Sequence, residues 1–201
     1  MKLYVATKNA GKLREMESLL AGGAFELATY DGYEPPIEGD VSYADNAALK
    51  ARSLHAQLAR AGRRAAVIAD DSGLEVHALD KRPGVLTAYY GGVELSWSER
   101  RRKLIAELDA SGSRDRRARF VCALHFVDAD GRELASFGTV DGEIARHERG
   151  ELGFSFDPVF VYAPAGVTFA ELSAQEKNRV SHRAIAAAGL LAMIIQAGML
   201  G

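Results

Sequence analysis

The chain has 201 residues, 48% hydrophobic and 26% charged, which suits one domain with a buried core. Its formal net charge of -2 demands no polyanionic partner, and its single cysteine, Cys122, excludes an internal disulfide and points to a cytoplasmic address. No signal-peptide pattern opens it and no apolar run reaches the ~20 residues of a membrane span, so no membrane partner is expected.

Leu3 to Thr7 (LYVAT) reads as a first strand, and Lys8 to Gly11 as a turn. Leu13, Met16 and Leu20 recur at helical spacing, which predicts a helix from about Lys12. A strand, a Gly-bearing turn and a helix N-terminus together make an anion site, because free backbone N–H groups and the helix dipole favour negative charge. Lys12 in the first turn is unfavourable for the helix itself, so its placement asks for a reason. Taken alone, TKNAGK fits a solvated lysine on an ordinary turn equally well, and it is not a Walker A loop. A loop with Pro35, Pro36, Glu38, Gly39 and Asp40 follows. Ser42 and Asp45 have the spacing of a capping box and open a helix to about Arg60, with Ala47, Ala51, Leu54 and Leu58 as its buried stripe. Asn46 and Lys50 are four apart and project together.

The centre of the chain is Ala65 to Leu74, AAVIADDSGL. The apolar run Ala65 to Ala69 predicts a buried strand that ends in a turn at Asp70, Asp71, Ser72 and Gly73. Adjacent carboxylates raise one another's pKa unless a cation stands beside them, and strand ends are where α/β sheets bind ligands. Arg82-Pro83-Gly84 marks a turn, and Thr87 to Gly92 an aromatic, Gly-rich loop. Ser96 and Glu99 form a second capping box for a helix through Leu108. Arg100 to Lys103, with Arg114, Arg116, Arg117 and Arg119, is either a nucleic-acid patch or a solvated face; the acidic net charge favours the face.

Phe120 to Val127 predicts a strand, Asp130-Gly131 a hairpin, and Glu133 to Val140 its partner. Asp141-Gly142 predicts another turn before a short strand, Glu143 to Ala145. This antiparallel set, roughly residues 110–150, is expected as a lobe inserted beside the main sheet of a single domain, 1–201. In Gly153-Phe154-Ser155-Phe156-Asp157-Pro158, two rings stand among small residues; they hold a flat ligand or join the core. A strand, Val159 to Tyr162, follows. Ser173 and Glu176 form a third capping box with Lys177 just inside the helix. Ser181 starts the terminal helix, with His182 and Arg183 in its first turn.

Lysines at helix starts and acids in loops suggest a phosphorylated ligand with Mg²⁺, which prefers one or two carboxylates plus phosphate oxygens. Rings beside polar groups suggest a nucleobase. TKNAGK, NAALKAR, ADDSGL, FSFDP and EKNRVSHR, in this order and spacing, resemble the inosine triphosphate pyrophosphatases. These hydrolyse ITP, dITP and XTP to the monophosphate and pyrophosphate. The resemblance spans essentially the whole chain. It implies a mixed central β-sheet flanked by helices, two lobes with the active-site cleft between them, Mg²⁺, a homodimer and a small-molecule nucleotide as partner. It places Thr7, Lys8, Asn9, Ala10, Gly11, Lys12 and Lys50 on the phosphates, Glu38 on the metal side, and Asp71 as essential acid, metal ligand or proton acceptor. Asp70 is a second candidate base. Ser72 is implied as a substrate contact, and Phe154, Ser155, Phe156, Asp157, Lys177, His182 and Arg183 as nucleotide-binding residues, with Arg183 a candidate donor to a 6-oxo group. Tyr89 stands where the family often has Arg, Ser155 where it has Gly, and Phe156 where it has Tyr or Trp. The readings from other classes are a nucleotide-binding regulator that does not turn over and a nucleic-acid binder.

Overall fold

The computed structural model describes residues 1–20 and 25–200. Seven strands, β1 (Lys2–Val5), β2 (Glu26–Ala28), β3 (Ala66–Val76), β4 (Arg117–Val127), β5 (Glu133–Ile144), β6 (Phe160–Tyr162) and β7 (Val167–Thr168), form one sheet in the order β2-β1-β3-β4-β5-β6-β7. β1 runs parallel to β2 and β3, while β6 runs antiparallel to β5 and β7, so the sheet is mixed. The helices are α1 (Ala10–Leu20), α2 (Tyr43–Arg60), α3 (Trp97–Ala110), α4 (Ala174–Val180) and α5 (His182–Gln196). This is the α/β class that the sequence predicts. No helix of the described residues is long and apolar enough to cross a membrane.

The chain divides into two compact units, Met1–Asp71 with Cys122–Gly138 and His182–Gly201, and Ser72–Val121 with Thr139–Ser181. In the first unit, the two-residue period of the strands sorts the core onto two faces. Leu3, Val5, Ala66 and Ile68 pack with Met16 and Leu20 of α1 and with Ala186, Leu190 and Ile194 of α5. Tyr4, Val67 and Ala69, the alternate positions, pack with Ala51, Leu54 and Leu58 of α2. In the second unit, Leu74 and Val76 pack with Leu104 and Leu108 of α3 and with the rings of Phe120, Phe160 and Phe169. The Phe120 and Phe160 ring centroids are 4.5 Å apart.

Several sequence expectations change. β3 does not end at Ala69; it runs through Asp70 and Asp71 to Val76, and of its 11 residues all but Ser72 are buried. The predicted turn at Asp141-Gly142 is likewise absent, because β5 continues to Ile144. Gly142 pairs with Tyr162, and a Cβ there would lie 2.3 Å from the Val161 carbonyl oxygen, so this glycine permits close strand approach and does not make a turn. β4 and β5 belong to the same sheet as the other strands and are not set beside it. α1 starts at Ala10, two residues before the predicted start, and residues 84–89 form 3-10 turns in place of a loop. The basic run turns partly inward. Arg100 is buried and donates to the carbonyls of Ala88, Tyr90 and Leu95, and Arg101 donates to the Ser155 carbonyl and pairs with Glu148.

Candidate active site

Asp70 and Asp71 are consecutive on β3, so their side chains leave opposite faces of the sheet. Each therefore meets a different set of partners. Asp70 points with Ile68 toward α1 and α5, where its Oδ2 lies 3.2 Å from Lys12 Nζ and 2.9 Å from Arg183 Nη2. Arg183 also pairs with Glu15 of α1. Burial opposes the charge on Asp70, yet Lys12, Arg183 and Lys50 together hold its carboxyl far below the usual range. Asp71 points with Ala69 toward α2. Its Oδ1 accepts from Lys50 Nζ at 2.9 Å and its Oδ2 from Asn46 Nδ2 at 3.2 Å. Burial pushes Asp71 upward, helped by Glu38, against the pull of Lys50 and Lys12. Both acids are buried and both feel Lys12 and Lys50, but only Asp70 also has Arg183, and the cations outweigh burial at Asp70 while burial prevails at Asp71.

The side of the sheet facing α2 gathers further charge. Lys50 Nζ lies 2.9 Å from Glu38 Oε2 as well as from Asp71, so two carboxylates converge on one ammonium. The fit of Lys50 follows from the i,i+4 spacing with Asn46: both project from one face of α2 onto the two oxygens of Asp71. Lys50 is held well above its ordinary value, because the attraction of Asp71, Asp70 and Glu38 outweighs the burial that lowers it. Among the described residues, no group of three His, Cys, Asp or Glu side chains forms a ready metal cluster.

The segment Thr7 to Lys12 joins β1 to α1. The N–H groups of Gly11 and Lys12, expected to be free, are accepted by Asn9 Oδ1 at 2.9 and 3.1 Å. Asn9 thus caps α1, and the Asn9 N–H is taken by Thr7 Oγ1. Lys8, Asn9 and Ala10 remain exposed, so the segment still presents a cation and polar groups outward. Arg183, a candidate donor to a base or an ion-pair partner on the sequence, has a side chain 1% exposed whose guanidinium pairs with Asp70 and Glu15. His182 is buried at the start of α5.

The remaining predicted residues lie in the second unit. Asp157 Oδ2 accepts from the Phe154 N–H at 2.7 Å and from Lys177 Nζ at 2.6 Å. Gly153, at φ +74°, is required here: a Cβ would sit 2.2 Å from Asp157 Oδ2. Lys177 Nζ stands 5.0 Å from the Phe154 ring centroid, a cation–π distance. Ser155 takes φ 58°, the left-handed conformation that a glycine adopts without strain. Phe156 does not offer a ring for stacking. It is fully buried against Trp97 and Tyr90, with centroids 5.5 and 6.1 Å away. Ser72, half-buried on β3, belongs to this unit also. Two residues that matter to the geometry went unassigned in the sequence. Asn46 had a local signal, its spacing to Lys50. Glu15 had none, since its partner Arg183 is 168 positions away.

A Ham1 family profile matches residues 3–193. A protein named dITP/XTP pyrophosphatase from Exiguobacterium sp. is 41% identical over 198 residues, covering 97% of each chain. One of the same name from Geobacillus kaustophilus is 44% identical over 187 residues, covering 91% of this chain and 89% of its own. Among solved structures, a HAM1 protein from Coxiella burnetii superposes with a TM-score of 0.84 at 32% identity, covering 98% of this chain and 99% of the other.

Proposed function

The chain belongs to the Ham1 family, and we propose that it hydrolyses non-canonical purine nucleoside triphosphates, ITP, dITP and XTP, to the monophosphate and pyrophosphate. The observation that carries this reading is the convergence of Asp71 and Glu38 on Lys50 beside a lysine-bearing strand-to-helix turn. That is a place built to exchange an internal cation for a phosphate-bound one.

The donor set fits Mg²⁺: two carboxylates, all-oxygen, already gathered around one positive charge. Asp71 and Glu38 would hold the ion. When bound it would supply positive charge to the phosphate oxygens. The protein's own cations act in the same sense. Lys50, displaced from one of its carboxylates, and Lys12 offer charge to the leaving pyrophosphate, while Lys8 is exposed for the distal phosphates. Attack of water on the α-phosphorus breaks the bond to the β-phosphate oxygen and releases one proton. Asp71 is the acid whose environment suits a proton, because burial raises it. A carboxylate bound to a divalent ion is a poor base, so Asp71 serves only one of its two tasks at a time. Asp70, held ionised by Lys12 and Arg183, is suited to anchor those cations and unsuited to be the base.

On the family resemblance, Phe154, Ser155, Phe156, Asp157, Lys177, His182 and Arg183 are assigned to nucleotide binding. The Lys177–Asp157 pair beside the Phe154 ring supports the assignment with a fixed cation, a fixed acceptor and an aromatic face. A homodimer and action in the cytoplasm belong to the same proposal. The test is pyrophosphate release from ITP, dITP, XTP, ATP and GTP with and without Mg²⁺. ITP and XTP should exceed ATP and GTP in kcat/KM by about two orders of magnitude, since mispairing a buried polar group costs ~1–3 kcal/mol and two can act together. ATP turned over as well as ITP refutes the selectivity. Tight nucleotide binding without pyrophosphate release refutes the hydrolase and favours a regulator.

A further inference from the structure

Between β2 and α2 there is no helix or strand from Thr29 to Ser42, and Glu38 lies on this segment. Apolar burial does not fix Glu38 in place. Its neighbours Ile37 and Val41 are 96% and 87% exposed. Tyr33, 4% exposed, anchors the segment to the core beside α2 five residues earlier, and two side-chain amides of α2 hold it on either side of Glu38; both make the same pair of bonds. Gln57 Oε1 accepts the Glu34 N–H at 2.9 Å, and its Nε2 donates to the Glu34 carbonyl at 2.8 Å. Asn46 Oδ1 accepts the Gly39 N–H at 2.8 Å, and its Nδ2 donates to the Gly39 carbonyl at 2.9 Å. Glu38 sits between these two clamps, directly beside the second.

The two amides differ in where the second hydrogen goes: Gln57 Nε2 donates it to Ser53 Oγ at 3.0 Å, within α2, whereas Asn46 Nδ2 donates it to Asp71 Oδ2 at 3.2 Å. Asn46 is 3% exposed, and its bond to Asp71 is buried, while Gly39 at the other end of the clamp is exposed. Its orientation is determined by the network: a flipped amide would set oxygen against the Gly39 carbonyl and the Asp71 carboxylate, and N–H₂ against the Gly39 N–H. One planar group therefore fixes the residue after Glu38 and one oxygen of Asp71 at once. Lys50, one turn along α2, then finds Asp71 Oδ1 and Glu38 Oε2 both at 2.9 Å.

We propose that Asn46 is a positioning residue for the reaction, a rigid amide link that sets the separation of Glu38 and Asp71 and keeps Asp71 Oδ1 turned toward Lys50. This rests on the hydrolase reading above. Gln57, which clamps the same segment without touching either acid, is the built-in comparison.

The test combines amide hydrogen exchange by NMR with steady-state kinetics on ITP. Asn46→Ala should release protection of the Gly39 amide and lower kcat by about tenfold or more with KM changed much less, as expected when reacting groups move by a fraction of an ångström to an ångström. Gln57→Ala should release the Glu34 amide but leave kcat within about twofold of wild type. Asn46→Asp keeps the side-chain volume and the acceptor for the Gly39 N–H, but it removes the donations to the Gly39 carbonyl and to Asp71 and sets a second carboxylate against Asp71. It should keep part of the Gly39 amide protection and still lose kcat, which covers the case in which Asn46→Ala does not fold. Equal kcat losses for Asn46→Ala and Gln57→Ala overturn the proposal, because general loosening of the segment would then explain both. Full kcat in Asn46→Asp, or a Gly39 amide still protected in Asn46→Ala, overturns it as well. A wild type that releases no pyrophosphate from any triphosphate removes the hydrolase reading and the positioning role with it, while Gly39 exchange still decides whether the clamp exists.

Discussion

Replacing each of the two adjacent aspartates by asparagine should have opposite consequences. Asp70 and Arg183 form a pair whose side chains are 3% and 1% exposed. Breaking a buried pair by removing one partner costs ~3–5 kcal/mol. Asp70→Asn should fall at the lower end, ~3 kcal/mol, because Arg183 keeps Glu15 and an asparagine oxygen still accepts one bond. In a domain of this size each kcal/mol lowers Tm by ~2–4 °C, so the expected drop is about 6–12 °C. Asp71→Asn should cost less stability than Asp70→Asn, since Lys50 keeps Glu38 and burial already disfavours the Asp71 charge, whereas the charge on Asp70 is favoured. Its kcat should nonetheless fall by far more than tenfold, or ~1.4 kcal/mol of barrier. pH supplies a further check. Asp70 is depressed in the folded state, so its contribution is present above the unfolded carboxylate value of ~3.9 and is lost as pH falls through the lower, folded value. The gap between wild type and Asp70→Asn should be full at neutral pH and narrow below about pH 4. Thermal and urea unfolding, with pyrophosphate release on the same samples, decide the matter. Equal destabilisation by the two substitutions, or Asp71→Asn retaining more than about a tenth of wild-type activity, refutes the two-face argument.

Lys12→Ala removes a cation beside an exposed turn and should weaken ITP binding much more than IMP binding; equal losses by calorimetry would show that Lys12 does not reach the distal phosphates. Tyr89 is 54% exposed, so Tyr89→Arg should change stability by no more than ~0.5 kcal/mol and leave the order of nucleotide preference as it was. A changed order in steady-state kinetics would bring residue 89 to the base. Glu133 is held down to about 2, first by its bonds to Arg52. With about a third of its side chain exposed, the pair contributes under ~1 kcal/mol after screening. That contribution exists above the ordinary glutamate value and disappears as pH drops toward about 2, so Glu133→Gln should differ from wild type at pH 6 and converge with it at low pH.

What could be read along the chain was what depends on neighbours in sequence. The capping boxes at Ser96 and Ser173 formed as spaced, because the bonds span three residues. α2 kept its predicted stripe, and its Asn46 and Lys50 kept their shared face, because helical periodicity is local. The strand β3 is legible up to Ala69 and not beyond, since two acids, a serine and a glycine in succession signal a turn when no partner is in view. Only the folded structure places Lys12 and Arg183 on one side of that strand and Lys50 with Asn46 on the other, and these let it continue through both charges. Gly142 was misread for the same reason: the backbone it lets in comes from β6, 20 positions away in the register. The burial of Arg183 and Phe156 was also decided by tertiary packing. A guanidinium can face a ligand or an acid, and a ring can stack on a base or fill a core. The sequence determines which groups are present and how they are spaced. Which of them remain exposed to a substrate depends on which long-range partners take the others first: Glu15 and Asp70 take Arg183, and Trp97 and Tyr90 enclose Phe156.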